Sequence, residues 1–596
     1  MESGAIREIH GIRFTDELAW MESMKGPRWD KLIKDEQENW SKVSHAHPRI
    51  RSQIKKATAI GKQMRFVSGP VEIAHIGTMA YQWRWKGEAK THDAADLCTS
   101  GDTVFVSYED SSVNGAENYV IAAFKKGHAT PNWKYANMSP YVGVIGGRCY
   151  SIEVKNKLVY YKCVSWKLDG SDYRTEYEEK DARYNLELIR GTNVLFLRRQ
   201  SGPKQDVIQI SANVRLLEPI CLDSSRFVVG SRAGEYLHWS AKWSVSKRLI
   251  ASGYVFPSFE SGTPELLDTE RGLLITRYYG KRTLWAIGKA KPRIVWTGIG
   301  NILIDPWAGD WIRLIQPGVP IAWFRPDEPR LPRPVAHGHF AKSADGTQIP
   351  FYTVGPVKPK GLFIAAYSAY GIYSTFSTAR WLPLLAEGWA IAFGVYRGGG
   401  DHTPEWEDAG RLTGRIKVLE DAEAVVRAAR GLFHMPAANT IIYGRSAGGL
   451  WVGGLCSKYP DGDLFGGAYM EVPYLDVLRT TTNHRLPLTL LETDEFGLPA
   501  MRVSDFVGML KWSPMETLRG TPGIFQIVRT GLNDSQVFAY ESAKWVIRSR
   551  KGENAGRIFL AIEGGQGHFV NGDKGLQQQA EDLSVILKLA DSKKSH

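Results

Sequence analysis

The stretch NTIIYGRSAGGLWVGGL, residues 439–455, decides the fold of the second half of the chain. It begins with a short β-branched strand at 440–443 and passes through Gly444-Arg445-Ser446-Ala447-Gly448 into a helix of small residues. The spacing Gly-x-Ser-x-Gly is that of a nucleophile elbow, in which the serine occupies a strained turn and the glycines let strand and helix approach closely. The stretch is therefore either the turn of a nucleophilic serine or scaffolding with a small residue in a tight turn.

Strands and helical segments alternate on both sides of this stretch, from about residue 329 to 596. The apolar strand candidates are GLFIAAYSAY, WAIAFGVYRGGG, NTIIYG, GGAYMEVP, GIFQIVRTG and RIFLAIEGG. Alternation of this kind predicts a doubly wound, mostly parallel sheet, as in an α/β hydrolase. Functional groups in such sheets lie at the carboxyl ends of the strands. Ser446, Asp534 and His568 all follow a predicted strand.

The middle of the chain, residues 59–328, has a different pattern. Short β-rich runs such as DTVFVSYED, KLVYYKCV and RTLWAIG recur every 10 to 40 residues without helical periodicity between them. The length suits an all-β propeller of six or seven blades at about 40 residues each. The proline-rich segment at 323–338 marks the boundary, so we expect a propeller over 59–328 and an α/β domain over 329–596.

Composition excludes several classes of protein. The chain has 596 residues, a net charge of +12 and 43% apolar residues, which is typical of a globular protein with more than one domain. Its lysines and arginines are spread along the sequence, so we expect no nucleic-acid partner. We also expect no membrane segment, no secretory signal and a cytoplasmic location. The five cysteines form no C-x-x-C pair, and neither a metal nor an organic cofactor is implied.

A serine becomes a nucleophile only beside a base that is held by a carboxylate, and on this fold these partners follow in the order Ser, Asp, His. Downstream of Ser446 the histidines are His484, His568 and His596. His568 lies on a glycine-rich loop after the last predicted strand, which favours it as the base. Asp534, after the penultimate strand, is favoured as the acid over Asp476, which lies one strand too early. The alternative is that Asp534 only caps a turn or the following helix.

Several further motifs resemble the prolyl oligopeptidase family of serine peptidases, and within it the oligopeptidase B type. They are SADGTQIPFY, YSAYGIYSTFSTARWLPLLAEGWAIAFGVYRGGGD, YGRSAGGL, YPDGDLFGGAYMEVPYLDVL, LPLTLLETDEFG, TGLNDSQVFAYESAKWV and GQGH, with HGIRFTDELAWME near the N-terminus. The resemblance covers the α/β half and the first segment. It implies a seven-bladed propeller that caps the active site, and a segment 1–58 that packs on the catalytic domain.

The resemblance also implies roles for individual residues. Ser446, Asp534 and His568 would be nucleophile, acid and base. Tyr367 would supply a hydroxyl to the oxyanion hole, together with the backbone N–H of Ala447. Donors of this kind are worth about 3 kcal/mol each. The alternative for Tyr367 is a half-buried aromatic residue on a strand.

The same comparison of motifs points to a substrate pocket. Glu492, with Asp494 beside it, matches the position of a tryptophan in proline-specific members, so we expect a basic P1 residue, held by charge-assisted hydrogen bonds. Gln536 and Tyr370 are also expected at the substrate. The alternative is that Glu492 and Asp494 pair with Arg485 or Arg502. The loop at 372–377 is shorter than in the family and lacks two aspartates, which makes a preference for dibasic sites doubtful.

The resulting hypothesis is a serine oligopeptidase, a monomer or homodimer, that hydrolyses short peptides after lysine or arginine. A specialised peptide-processing or isopeptide-opening member of the same family is one alternative. An esterase or other acyl hydrolase is another, although a small ester needs no peptide-filtering cap. A binding protein that uses only its propeller is the non-enzymatic alternative, and it leaves the three residues of the triad unexplained.

Overall fold

A computed structural model of the chain describes residues 5–592, apart from 61–64, 76–80, 110–118, 129, 156–157, 192–193, 202–203, 212–219, 223–225, 233, 240–242, 259, 261, 306–307, 329–330, 374–377, 487, 551–552 and 571. The chain begins with a two-stranded hairpin and two helices. These elements are β1 (Ala5–Ile9), β2 (Ile12–Asp16), α1 (Pro27–Ser41) and α2 (Pro48–Ile60). Proline at the first position of α1 and α2 suits a helix start, where its missing N–H costs nothing.

A β-propeller follows. Its strands are β3 (Phe66–Ser68), β4 (Val71–His75), β5 (Tyr81–Trp85), β6 (His92–Ala94), β7 (Asp96–Ser100), β8 (Thr103–Glu109), β9 (Tyr119–Lys125), β10 (Trp133–Met138), β11 (Gly143–Ile145), β12 (Arg148–Lys155), β13 (Val159–Lys167), β14 (Arg174–Glu178), β15 (Asn185–Gly191), β16 (Val194–Ser201), β17 (Lys204–Ser211), β18 (Ile220–Leu222), β19 (Arg226–Val229), β20 (Tyr236–Trp239), β21 (Trp243–Val245), β22 (Thr263–Asp268), β23 (Leu273–Tyr278), β24 (Lys281–Ala286), β25 (Arg293–Gly298), β26 (Asn301–Leu303), β27 (Ile312–Ile315) and β28 (Ala322–Phe324). A short helix, α3 (Lys247–Ala251), follows β21.

Consecutive antiparallel strands form the blades. The sheets are β3–β6, β15–β18, β19–β21, β22–β25 and β26–β28, plus an eight-stranded sheet of β7–β14. In that larger sheet β10 and β12 share a single residue pair, Met138 with Glu153, so it divides into β7–β10 and β11–β14. Counted this way, the described strands make seven blades. Phe66 of the first blade lies 4.9 Å from Trp323 of the last, measured between ring centroids, which brings the two ends of the propeller together.

The C-terminal domain is built on one eight-stranded sheet with helices on both sides. Its strands are β29 (His337–Lys342), β30 (Gln348–Val354), β31 (Leu362–Ala365), β32 (Ala390–Gly394), β33 (Thr440–Arg445), β34 (Gly467–Glu471), β35 (Phe525–Gly531) and β36 (Ile558–Glu563). Its helices are α4 (Thr378–Ala386), α5 (Pro404–Asp408), α6 (Arg415–Phe433), α7 (Gly449–Lys458), α8 (Val477–Thr482), α9 (Thr493–Phe496), α10 (Val503–Trp512), α11 (Pro514–Thr517), α12 (Ala539–Ser549) and α13 (Gly572–Ser592).

The order across this sheet is β29-β30-β32-β31-β33-β34-β35-β36, antiparallel at β29, β30 and β32 and parallel from β32 to β36. Successive side chains of a strand point to opposite faces, and both faces are buried. In β31, Leu362 and Ile364 enter one core with α6, α7 and α12, and Phe363 and Ala365 enter the other with α2, α4 and α13. Parallel strands place their carboxyl ends at one edge, and that edge carries the site.

Candidate active site

Ser446 lies directly after β33, at the start of a tight turn that leads into α7. Its backbone has φ +52°, a left-handed conformation that is costly for a residue with a side chain and is found where a structure holds a functional group in place. A Cβ atom at Gly444 would clash with the carbonyl oxygen of Gly448. The glycine at 444 is therefore required for the close approach of strand and turn, as the spacing predicts.

His568 and Asp534 lie beside each other on the loops that follow β36 and β35. The Nδ1 atom of His568 is 2.8 Å from Oδ2 of Asp534, and both residues are 3% exposed. The other carboxylate oxygen, Oδ1, accepts backbone N–H bonds from Gln536 and Val537, each at 2.9 Å. The turn before α12 thus holds Asp534 in place, and Asp534 orients the imidazole through its Nδ1 atom.

Tyr367 and Ala447 lie next to the serine turn. A Cβ atom added to Gly448 would lie 3.4 Å from Cδ2 of Tyr367, so the tyrosine ring packs over the turn that carries Ser446. Burial, followed by the charges of Glu495 and Glu492, raises the pKa of the Tyr367 hydroxyl, which keeps it a hydrogen-bond donor at neutral pH. Ala447 is buried in the same turn.

Glu492 is half-buried at the start of α9, where its Oε1 accepts a 2.6 Å hydrogen bond from the hydroxyl of Tyr370. Burial raises the pKa of Glu492 to about 7; the Tyr370 hydrogen bond opposes this rise and the nearby Glu495 adds to it. No cation among the described residues is a cause of this shift. The carboxylate therefore lacks the compensating charge that buried acids usually have.

Asp494 is exposed and lies in a different environment from Glu492. Its Oδ2 accepts a 3.2 Å hydrogen bond from the hydroxyl of Ser201, at the end of β16 in the propeller. Of the two arginines expected as alternative partners, Arg502 lies 3.8 Å from Asp505, and Arg485 is exposed. Asp494 therefore contacts the cap, while Glu492 contacts Tyr370.

Gln536 reaches the site through its backbone, because its N–H binds Asp534 and its side chain is half-buried. Asp476, the competing acid, is held elsewhere: its Oδ2 lies 2.8 Å from Nζ of Lys544. Of the short loop at 372–377, residues 374–377 lie outside the described residues.

Residues 374–590 match the sequence model of the Prolyl oligopeptidase family. Over these residues the C-terminal domain is similar to the prolyl oligopeptidase family. Protease 2 of Moraxella lacunata is 30% identical over 261 residues, which are 42% of this chain and 37% of that protein. The human protein named Prolyl endopeptidase-like is 35% identical over 167 residues, 27% of this chain and 23% of that protein. The chain thus spans well under half the length of these curated relatives.

A solved structure of Oligopeptidase B from Leishmania major superimposes with a TM-score of 0.75 at 18% identity, covering 99% of this chain and 98% of that one. This likeness extends beyond the matched segment to the propeller. The predicted fold class, an α/β hydrolase with an all-β propeller, is confirmed. The segment that matches the family is thus joined to a propeller whose described strands form seven blades.

Arg445 was not singled out by the sequence, although it precedes the serine of the family motif. Its guanidinium donates to the backbone oxygen of His568, lies 5.1 Å from the ring centroid of Phe569 and lies 3.5 Å from Glu471. These contacts tie the histidine loop to the end of β33. Adjacency to Ser446 was the one available signal, because the contact with His568 joins residues 123 positions apart.

One cluster of acids in the described part of the chain has the geometry of a cation site: Asp16, Glu22 and Asp476. The ammonium of Lys544 occupies its centre, at 2.7 to 2.8 Å from all three. The ammonium of Lys544 thus supplies the positive charge that a metal ion would supply in such a cluster. Across the residues that the structure describes, no helix is both long and apolar enough to cross a membrane.

Proposed function

We propose that this chain is a serine oligopeptidase in which Ser446, His568 and Asp534 act as nucleophile, base and acid. The observation that carries the proposal is the 2.8 Å contact between Nδ1 of His568 and Asp534, at the same sheet edge as the strained Ser446. A buried carboxylate on Nδ1 favours the tautomer in which Nε2 is the proton acceptor, and it stabilises the imidazolium that forms. Ser446 and this pair lie at the ends of β33, β35 and β36.

The reaction follows from these positions. As Oγ of Ser446 attacks the peptide carbonyl, Nε2 of His568 takes its proton, and negative charge develops on the carbonyl oxygen. The N–H of Ala447 and the hydroxyl of Tyr367 bind that oxyanion. His568 then gives its proton to the leaving amine and activates a water molecule that hydrolyses the acyl-enzyme.

The propeller limits the substrate to short peptides. Blade β22–β25 and the turns beside it bond to three successive carbonyls of the C-terminal domain: Gly400 accepts from Arg277 at 2.6 Å, Asp401 from the N–H of Gly280 at 2.8 Å and His402 from Thr263 at 2.9 Å. On another blade, Ser201 bonds Asp494 near the expected pocket. A cap held at both places hinders the entry of folded proteins.

Glu492 supports specificity for lysine or arginine at P1. A carboxylate that is desolvated and has no cationic partner is stabilised when a cationic side chain enters beside it. The hydrogen bond from Tyr370 orients the carboxylate for this contact. Asp494, whose carboxylate bonds to the propeller, contributes less to the P1 contact.

Two measurements test the proposal. A fluorophosphonate probe should label Ser446, and absence of labelling would exclude the serine hydrolase mechanism. A library of short peptides should show cleavage after lysine and arginine, and Glu492→Gln should lower kcat/KM for these peptides by about 10- to 100-fold relative to norleucine peptides. Asp494→Asn should lower the same ratio by much less. A wild-type profile that ignores the charge at P1 would refute the proposed specificity.

A further inference from the structure

Tyr474 follows β34 and lies between the serine turn and the pocket of Glu492. Its backbone N–H donates a 3.0 Å hydrogen bond to the carbonyl oxygen of Ser446. Its ring contacts Phe496, the last residue of α9, edge to face, at 5.3 Å between centroids. The ring of Tyr370 contacts the same phenylalanine at 5.7 Å. Two tyrosines thus flank Phe496, one turn of helix from Glu492.

The hydroxyl of Tyr474 lacks a hydrogen-bond partner. The residue is 3% exposed, and its oxygen bonds to no group in the described part of the chain. A buried hydroxyl is normally satisfied, because leaving it unpaired forfeits its hydrogen bonds to water. Beside a binding pocket, such a hydroxyl is available to a group of the ligand.

Glu492 is close enough to affect this hydroxyl. Burial raises the pKa of Tyr474, and the charges of Glu492 and, on the side of α12, of Glu541 raise it further. Glu541 is already bonded to the N–H groups of Leu475 and Asp476, each at 2.9 Å. On the pocket side, Oε1 of Glu492 is taken by Tyr370, whereas the Tyr474 oxygen is bonded to nothing described.

We propose that the hydroxyl of Tyr474 is a second recognition group for a basic P1 side chain, which it binds together with the carboxylate of Glu492. This inference rests on the proposed peptidase function and names a specificity-determining residue for it. The cation of the substrate donates one N–H to Oε2 of Glu492 and another to the phenolic oxygen of Tyr474.

The chemistry of the cation fits these two acceptors. An ammonium has three donors and a guanidinium has five, so one carboxylate oxygen leaves several of them unsatisfied in a desolvated pocket. Oε1 of Glu492 already accepts a hydrogen bond from Tyr370, so the cation of the substrate needs another acceptor. An uncharged side chain such as norleucine has no donor and gains nothing from the Tyr474 hydroxyl.

Tyr474→Phe tests the inference, because it removes the hydroxyl and keeps the ring against Phe496. The measured quantity is the ratio of kcat/KM for a lysine peptide to that for the matching norleucine peptide. We expect this ratio to fall by about 10- to 100-fold, as for the loss of a hydrogen bond to a charged group. Tyr396→Phe is the matched control: its hydroxyl is also buried and unpartnered in the described structure, at 1% exposure, but it faces Trp451. That variant should keep the wild-type ratio.

The outcomes separate this inference from the proposed function. A wild-type enzyme that prefers lysine, with an unchanged ratio in Tyr474→Phe, would overturn the role of the hydroxyl and leave the peptidase specificity standing. Equal losses for lysine and norleucine peptides, with slower fluorophosphonate labelling, would show that Tyr474 only supports the Ser446 turn and would also overturn it. A wild type without preference for lysine would refute both.

Discussion

Two groups of acids, one between the N-terminal segment and the C-terminal domain and one at the carboxyl edge of the sheet, are arranged in opposite ways. In the first, Asp16, Glu22 and Asp476 surround the ammonium of Lys544, which is fully buried. Although burial opposes it, Lys544 holds the pKa of Asp16 below its usual value. In the second, at the carboxyl edge of the sheet, Glu492 has a raised pKa and Asp534 faces the ring of His568.

The two groups of acids have different roles. Compensated acids join the N-terminal segment to α8 and α12, so their charges stabilise the assembled fold and are unavailable to a ligand. Acids that have no neighbouring cation destabilise the fold, and they are typical of sites where a catalytic group or a substrate supplies the missing interaction. Substituting one member of each group tests whether these roles differ.

Asp534→Asn should have the largest effect on catalysis. Asparagine keeps an acceptor for the N–H groups of Gln536 and Val537 but no longer stabilises the correct tautomer of His568, so kcat should fall about 10⁴-fold with little change in Tm. Steady-state kinetics and thermal unfolding of the same preparation measure both. Asp476→Asn is the control from the compensated group, and it should lower Tm while kcat changes only a few-fold. Equal losses of kcat in the two variants would contradict the assignment.

Lys544→Met should have the largest effect on stability. It removes the cation that Asp16, Glu22 and Asp476 share and leaves Asp16 its longer contacts with Arg548, at 3.2 Å, and Arg479, at 3.5 Å; breaking a buried pair of this kind costs about 3–5 kcal/mol. Thermal unfolding should then show a Tm lower by on the order of 10 °C. Lys458→Met is the matched control, because Lys458 also lies 2.7 Å from a carboxylate, that of Glu423, but is 54% exposed. Exposed pairs contribute little, so a similar loss in both variants would mean that burial does not distinguish them.

The sequence predicted the parts of this site that depend on local order. The glycine spacing around Ser446 and the positions of Asp534 and His568 after successive strands follow from short-range patterns, and the parallel sheet brings such positions to one edge. The sequence could not predict contacts between distant segments. Asp494 bonds Ser201, 293 residues earlier, and Lys544 binds Asp16, 528 residues earlier. Neither contact leaves a local pattern, because each depends on how domains and segments pack.

The pH dependence of selectivity gives the smallest effect and addresses Glu492 directly. Its pKa is raised from 4.5 to about 7, so the carboxylate is charged above pH 7 and increasingly neutral below it. The ratio of kcat/KM for lysine over norleucine peptides should therefore rise through pH 7 and fall toward its uncharged limit by pH 5.5. Because the chemical steps are the same for both peptides, pH effects on those steps cancel in the ratio, which therefore isolates Glu492.

The raised pKa of Glu492 also affects stability, which should fall with rising pH whereas the selectivity rises. Between pH 4.5 and about 7 the folded chain binds more protons at Glu492 than the unfolded chain, so this group's contribution to stability is lost as the pH rises. A cationic ligand should restore it, and a lysine-containing inhibitor should raise Tm more at pH 8 than at pH 5.5. In Glu492→Gln both the selectivity step and this difference in Tm should disappear. A selectivity ratio that is flat from pH 5.5 to 8 in the wild type would show that Glu492 is already compensated, and the contrast between the two acidic groups would not hold.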